Sequence, residues 1–209
     1  MIFLKYDSRF MVGLRRLVDY AFLGLLWILA SVPVITFGAA TTAALLTAEI
    51  TIQKDEGKML TTFWEWFRKE FKEATILWLI QLPLLGIAAM NVWLVYNSQL
   101  SAVPRALIYV ASGVIFCWIQ LWFGYLSKFE DTVKTILGNT LRITLANLGS
   151  ALLLGVLALA ALTGTAALTL IMPPLAILVP GAYLLSCTAV FRKVFAPFLP
   201  KSEPEASGV

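Results

Sequence analysis

Four long apolar stretches, residues 75–97, 104–126, 148–172 and 175–194, dominate this chain, and its basic residues lie between them. Each stretch is near the ~20 residues that an α-helix needs to cross a hydrocarbon core. Of the 209 residues, 60% are hydrophobic and only 13% charged, against a usual charged share of about 25%. Too few polar groups are present to cover a water-solvated globule, so lipid must solvate much of the chain. The stretches are too long and uniform for the alternating strands of a barrel. Helices are expected instead, because each helix satisfies its own backbone groups. The predicted fold is all-α, a polytopic transmembrane bundle forming one domain.

The N-terminal part reads less plainly. Residues 20–36 are apolar, whereas 39–54 carry four threonines and Glu49. If 39–54 returns through the membrane, there are about six segments, and one face of the membrane gathers nearly all of the cations. That face holds Lys5, Arg9, Arg15 and Arg16, then Lys54, Lys58, Arg68, Lys69 and Lys72, then Lys128, Lys134 and Arg142, and last Arg192, Lys193 and Lys201. Arg105 alone falls on the other face. If 39–54 stays at the surface, everything after the first segment is inverted and the excess faces outward. Cytoplasmic loops carry the Lys and Arg excess, which selects six segments with both termini cytoplasmic. The first hairpin is short, since sixteen residues make only about 24 Å of helix. Extension at the cytoplasmic ends, or a re-entrant hairpin opening to the cytoplasm, gives the same charge distribution.

The net charge of +4 follows from this asymmetry and does not indicate nucleic-acid binding. The chain has no histidine. Cys117 and Cys187 sit within apolar stretches and read as small core residues, so neither a disulfide framework nor a metal site is expected. With no nucleophile–base pair or phosphate loop in view, no enzyme activity and no cofactor are expected. The N-terminus does not read as a cleavable signal, and residues 199–209 read as a disordered tail.

Two segments between the spans are amphipathic. In 61–73, Phe63, Trp64, Phe67 and Phe71 recur at helical spacing, with Glu65, Arg68, Lys69 and Lys72 on the other face. The pattern predicts a helix in the membrane interface, aromatics at headgroup depth and cations toward anionic lipid. Residues 129–140, with Phe129, Lys134 and Asn139, are a second such segment. Each could anchor to lipid or dock a partner subunit at the membrane surface.

The run Trp27–Leu45, centred on Pro33-Val34-Ile35-Thr36-Phe37-Gly38, resembles the hallmark of the YesL-like family, DUF624. Glu56-Gly57, the aromatic segment Phe63–Phe71 and the segment from Lys128-Phe129-Glu130 to Asn139 are similar to later family motifs. Ala39 and Gly24 depart from the family's usual proline and asparagine. The resemblance implies a small bacterial inner-membrane protein of several spans, in a family often encoded beside carbohydrate-uptake ABC transporters. The expected role is accordingly a non-enzymatic accessory protein that associates with a carbohydrate ABC importer or its regulation. Its partners would be the lipid bilayer, importer subunits and a second copy of the chain. A small-solute transporter or channel, and a membrane-bound sensor, are the alternatives.

The motif itself reads as a hairpin turn. Pro33 disfavours helix at Val32 and removes a backbone donor. Thr36 is suited to satisfy the freed backbone groups, Gly38 to take a left-handed conformation, and Thr41 completes the motif. Ala39, Ala40, Ala43 and Ala44 would let the returning helix approach closely. Polar residues within spans mark a solute path in the transport reading: Glu49, with no basic residue near it in sequence, and Gln81, Asn91 and Gln120. Pro180 and Gly181 interrupt the last span, as in the broken helices of transporters. Asp19 reads as a local ion pair with Arg15 and Arg16. Ala151/Gly155 and Ala160/Gly164 read as packing seams.

Overall fold

The computed structural model describes residues 9–53 and 58–198. All regular elements among them are helical. Helix α1 (Arg9–Ser31) stops two residues before Pro33, where the ring removes a donor and restricts Val32. A single 3₁₀ turn, Val34–Thr36, leads into α2 (Phe37–Thr47), which widens into a π-helical turn over Ala48–Gln53. Then follow α3 (Met59–Lys69) and α4 (Phe71–Tyr96), joined at Glu70. Helices α5 (Ala102–Ile119) and α6 (Leu121–Leu126) form one apolar run bent at Gln120. Amphipathic α7 (Val133–Ala146) comes next, a few residues later and longer than the expected 129–140. Then follow α8 (Leu148–Ile171), the single turn α9 (Pro173–Ala176) and α10 (Leu178–Phe195), with a 3₁₀ turn over Ala196–Phe198 as the last described element. Pro83 lies inside α4 without dividing it.

Among the described residues, five helical stretches are long and apolar enough to cross a membrane: Val34–Thr51, Phe71–Tyr96, Ala102–Leu126, Leu148–Ile171 and Leu178–Phe198. The apolar part of α1, Val18–Ser31, is shorter. Large apolar side chains on these helices are bare. Trp93, Leu107 and Leu170 are 61%, 66% and 87% exposed, a surface that water does not tolerate over such an area. The chain is a membrane protein.

Burial is concentrated at one end of the bundle. Every residue from Gly38 to Ala48 is buried, and around α2 lie Phe63 and Phe67 of α3, Ala74–Gln81 of α4, Ile119–Leu126, and Leu184–Phe195 of α10. Small side chains make this close packing feasible. The threonines of α2 tolerate the apolar surroundings by bonding back one turn. The hydroxyls of Thr41, Thr42 and Thr47 donate to the carbonyls of Phe37, Gly38 and Ala43 at 2.8, 3.2 and 2.7 Å.

The expectation for Gly38 is corrected. It lies in the first turn of α2 and is not left-handed; the glycine is required by a close approach instead. A Cβ there would stand 2.3 Å from the Ala74 carbonyl oxygen and 2.9 Å from Trp78 Cβ. Gly24 and Gly181 meet in the same manner where α1 crosses α10. A Cβ on Gly181 would lie 2.1 Å from the Tyr20 carbonyl oxygen, and one on Gly24 would lie 2.6 Å from that of Ile177. The interruption of the last span is also relocated, because the chain bends at Ile177, between α9 and α10. Pro180 sits in the first turn of α10, where a missing N–H costs nothing.

Candidate functional site

The hairpin turn is built almost wholly from its own residues. The Thr36 hydroxyl lies 2.6 Å from the Ala30 carbonyl and 2.6 Å from that of Pro33, the groups left over by the proline break. Thr41 accepts from Trp27 Nε1 at 3.0 Å, which fastens α2 to α1. Phe37 stands between two indoles, 5.3 Å from Trp27 and 4.4 Å from Trp78 by ring centroids. Trp78 Nε1 donates to the Val34 carbonyl at 2.7 Å. The turn therefore lies against the first turns of α4. From Trp78 the helix continues 18 residues, about 27 Å, to Tyr96. The expected return of 39–54 across the membrane is corrected: the stretch from the hairpin turn to Glu49 lies along the α3–α4 end of the bundle, from Ala74 and Trp78 to Lys128, away from the α4–α5 turn.

Glu49, on the π-helical turn, has a partner that sequence distance concealed. Lys128, just beyond α6, forms an ion pair with it across the bundle, and the two side chains are only 9% (Lys128) and 16% (Glu49) exposed. The other path candidates do not gather around this pair. Gln81 is buried with its side-chain oxygen unbonded. Asn91 lies ten residues further, about 15 Å along α4. Gln120 sits at the α5–α6 bend and accepts from the Tyr183 hydroxyl at 3.4 Å. Pro180 and Gly181 are buried in the α1–α10 crossing.

The two amphipathic segments form one surface. Lys69, at the end of α3, bridges Glu130, and a cavity of about 300 Å³ between the segments is walled by Lys69, Glu70, Glu73, Glu130, Asp131 and Thr132. Burial pushes the Glu70 carboxyl above its ordinary value, and the neighbouring Lys69 charge opposes this. The bond to Glu130 raises the Lys69 ammonium. Lys69 also lies over the Trp66 ring at 4.5 Å and Arg68 over Trp64 at 5.2 Å. Four carboxylates facing one ammonium give the cavity an acidic character suited to cationic groups.

Several residues expected on this surface lie inward. Phe63 and Phe67 are buried against α2, while Trp64 and Phe71 are exposed. Phe129 belongs to an aromatic cluster, 4.6 Å from Tyr125 and 5.8 Å from Phe195. Asn139 donates to the Tyr125 hydroxyl at 2.9 Å, and that hydroxyl donates to Asp131 at 2.7 Å. These two serve the fold, leaving Lys134 exposed on α7. Sequence reasoning passed over Tyr125, Asp131, Glu70 and Lys128. The available signal was their place within the family-like segments Phe63–Phe71 (Glu70) and Lys128–Asn139 (Lys128, Asp131) or just before the second (Tyr125). Among the described residues no group of three His, Cys, Asp or Glu is placed to hold a metal ion. The expected pairing of Asp19 with Arg15 and Arg16, the Glu56-Gly57 pair and the tail 199–209 lie outside the side chains and residues described.

Residues 20–92 match the model of a family described as "Protein of unknown function, DUF624", so the chain resembles that family from the apolar part of α1 through most of α4. The segment Lys128–Asn139 lies beyond the matched residues. No curated protein and no solved structure matches the chain.

Proposed function

We propose that this chain is a non-enzymatic accessory protein of the bacterial cytoplasmic membrane, with the α3 and α6–α7 end of the bundle in the cytoplasm. It docks a subunit of a carbohydrate ABC importer, or of its regulation, on the surface shared by α3 and the α6–α7 region. The observation that carries this reading is the joining of the two amphipathic segments, by the Lys69–Glu130 bridge and the acidic cavity between them, into a single face. A complementary partner would present basic side chains to Glu70, Glu73 and Asp131. The importer is what the resemblance of the Trp27–Leu45 run to the YesL-like family implies; the family match over residues 20–92 itself names no function, and the basic excess beside the spans supports the orientation.

The dispersal of Gln81, Asn91, Gln120, Pro180 and Gly181 away from the Glu49–Lys128 pair favours this reading over the transporter alternative, which needs polar groups gathered along one path. Isolation in mild detergent, with identification of the co-isolated proteins, tests the proposal. An importer subunit should accompany the wild-type chain and be lost from a Glu73→Lys/Asp131→Lys double variant. Failure to find any importer subunit under several growth conditions would refute it. Flux of a sugar or ion through liposomes holding only this chain, abolished by Glu49→Gln, would establish transport instead.

A further inference from the structure

A groove runs between the hairpin turn and α3, and neither the bonding of the turn nor the proposed docking face makes use of it. It encloses about 360 Å³ and is walled by apolar side chains, among them Ala30, Pro33, Phe63 and Phe67. The surface beside it is itself apolar and bare: Leu29, Val32 and Val34 are 59%, 72% and 66% exposed. Leu60 and Trp64 are shared with a second cavity of about 550 Å³, to which Thr61, Glu65 and Arg68 contribute. The Arg68 guanidinium stands over the Trp64 ring at this shared wall. Among the described residues no carboxylate bridges Arg68, whereas Lys69 is taken up by Glu130. An apolar slot thus leads to a guanidinium that stands over an exposed tryptophan and that no carboxylate bridges among the described residues.

We propose that this is a binding site for one anionic phospholipid, with an acyl chain lying in the groove and the phosphate of the headgroup at Arg68. A planar guanidinium matches phosphate oxygens in pairs, and the aromatic wall suits the boundary between chain and headgroup. The Glu65 carboxylate in the same outer cavity opposes the phosphate, so affinity is carried by the acyl slot and selectivity by Arg68. This site is independent of any importer subunit, and the lipid would bind whether or not the docking proposal holds.

Native mass spectrometry of the full chain, in detergent with equal amounts of phosphatidylglycerol and phosphatidylcholine, reads the site directly. The wild-type chain should retain one phosphatidylglycerol with a preference of about fivefold, the factor that one cation is worth near an anionic headgroup. Arg68→Gln should keep a bound lipid but bring the preference close to one. Ala30→Phe, which fills the groove, should remove the retained lipid of both kinds. Leu60→Trp should do the same from an exposed position, which preserves the test if Ala30→Phe does not fold. Equal retention of the two lipids by the wild type, an unchanged preference in Arg68→Gln, or a filled groove that still holds phosphatidylglycerol would each overturn the proposal.

Discussion

The packed end of the bundle and the far halves of α4, α5 and α8 are made from similar residues and end in opposite surroundings. Helix α2 is Ala, Thr, Gly and Leu, buried from Gly38 to Thr47. Helix α8 is equally rich in Ala, Gly, Thr and Leu, yet only Ala151, Leu154 and Gly155 are buried. Apolar composition therefore does not decide which helix is central. What distinguishes α2 is what its ends meet. Gly38 admits the backbone of α4, and Glu49 meets Lys128. In α8, Gly155 faces Cys117 Sγ, where a Cβ would lie at 3.0 Å, but nine residues on Gly164 finds only Val179 at 3.8 Å. Close approach and a buried charge pair set α2 apart from α8; a close approach recurs at the α1–α10 crossing of Gly24 and Gly181, but without such a charge pair.

The sharpest way to break this contrast is to remove one charge. Lys128→Met leaves Glu49 unpaired among buried groups and should cost about 3 kcal/mol or more. Replacing both residues, as Glu49→Leu/Lys128→Met, should recover most of that loss; thermal unfolding in detergent reads both. A failure of the double variant to recover would mean that the pair does more than compensate itself.

Gly38→Ala comes next. Its methyl would press on the Ala74 carbonyl and should cost about 1–3 kcal/mol. An unaffected melting temperature would show that α2 and α4 are further apart than described here.

A third test concerns Glu70. Its folded carboxyl holds a proton more tightly than the unfolded one, so its contribution to stability falls as pH rises from the ordinary carboxylate range, about 4, through the raised value. Glu70→Gln should accordingly raise the melting temperature at neutral pH, with the gain shrinking toward pH 4. A gain independent of pH would point to a cause other than burial of charge.

The smallest effect is expected in the far half. Gly164→Ala meets only ordinary contact, and it should be neutral or stabilise by up to about 1 kcal/mol through helix propensity. A clear loss there would mean that the outer part of α8 is covered by something, a second copy of the chain included.

Features that depend on neighbours in sequence were legible before any coordinates. The break at Pro33 and the use of Thr36 to satisfy it need only the seven residues Ala30 to Thr36, and the helical class with its apolar lengths follows from composition. Features that depend on distant partners were not. Trp78 lies 44 residues from Val34, and Lys128 lies 79 from Glu49. No local pattern announces either contact. The glycine at 38 was legible as necessary, but the reason was wrong: a turn conformation and a backbone crossing both demand glycine, and only the second partner tells them apart. Among the small-residue pairs, Ala151/Gly155 serves as a seam, whereas Ala160 of the second pair is exposed and Gly164 barely touches a neighbour.

The most direct test is a pair of spin-label distances measured in lipid, with Cys117 and Cys187 replaced. Labels go on three exposed positions, Val34 in the hairpin turn and Leu79 and Tyr96 on α4. A Val34–Leu79 separation much shorter than the Val34–Tyr96 separation, by about the 26 Å of helix between the two α4 sites, is what the packing of the turn against Trp78 predicts. A short Val34–Tyr96 distance with a long Val34–Leu79 distance would place the turn at the opposite end of the bundle and contradict the account.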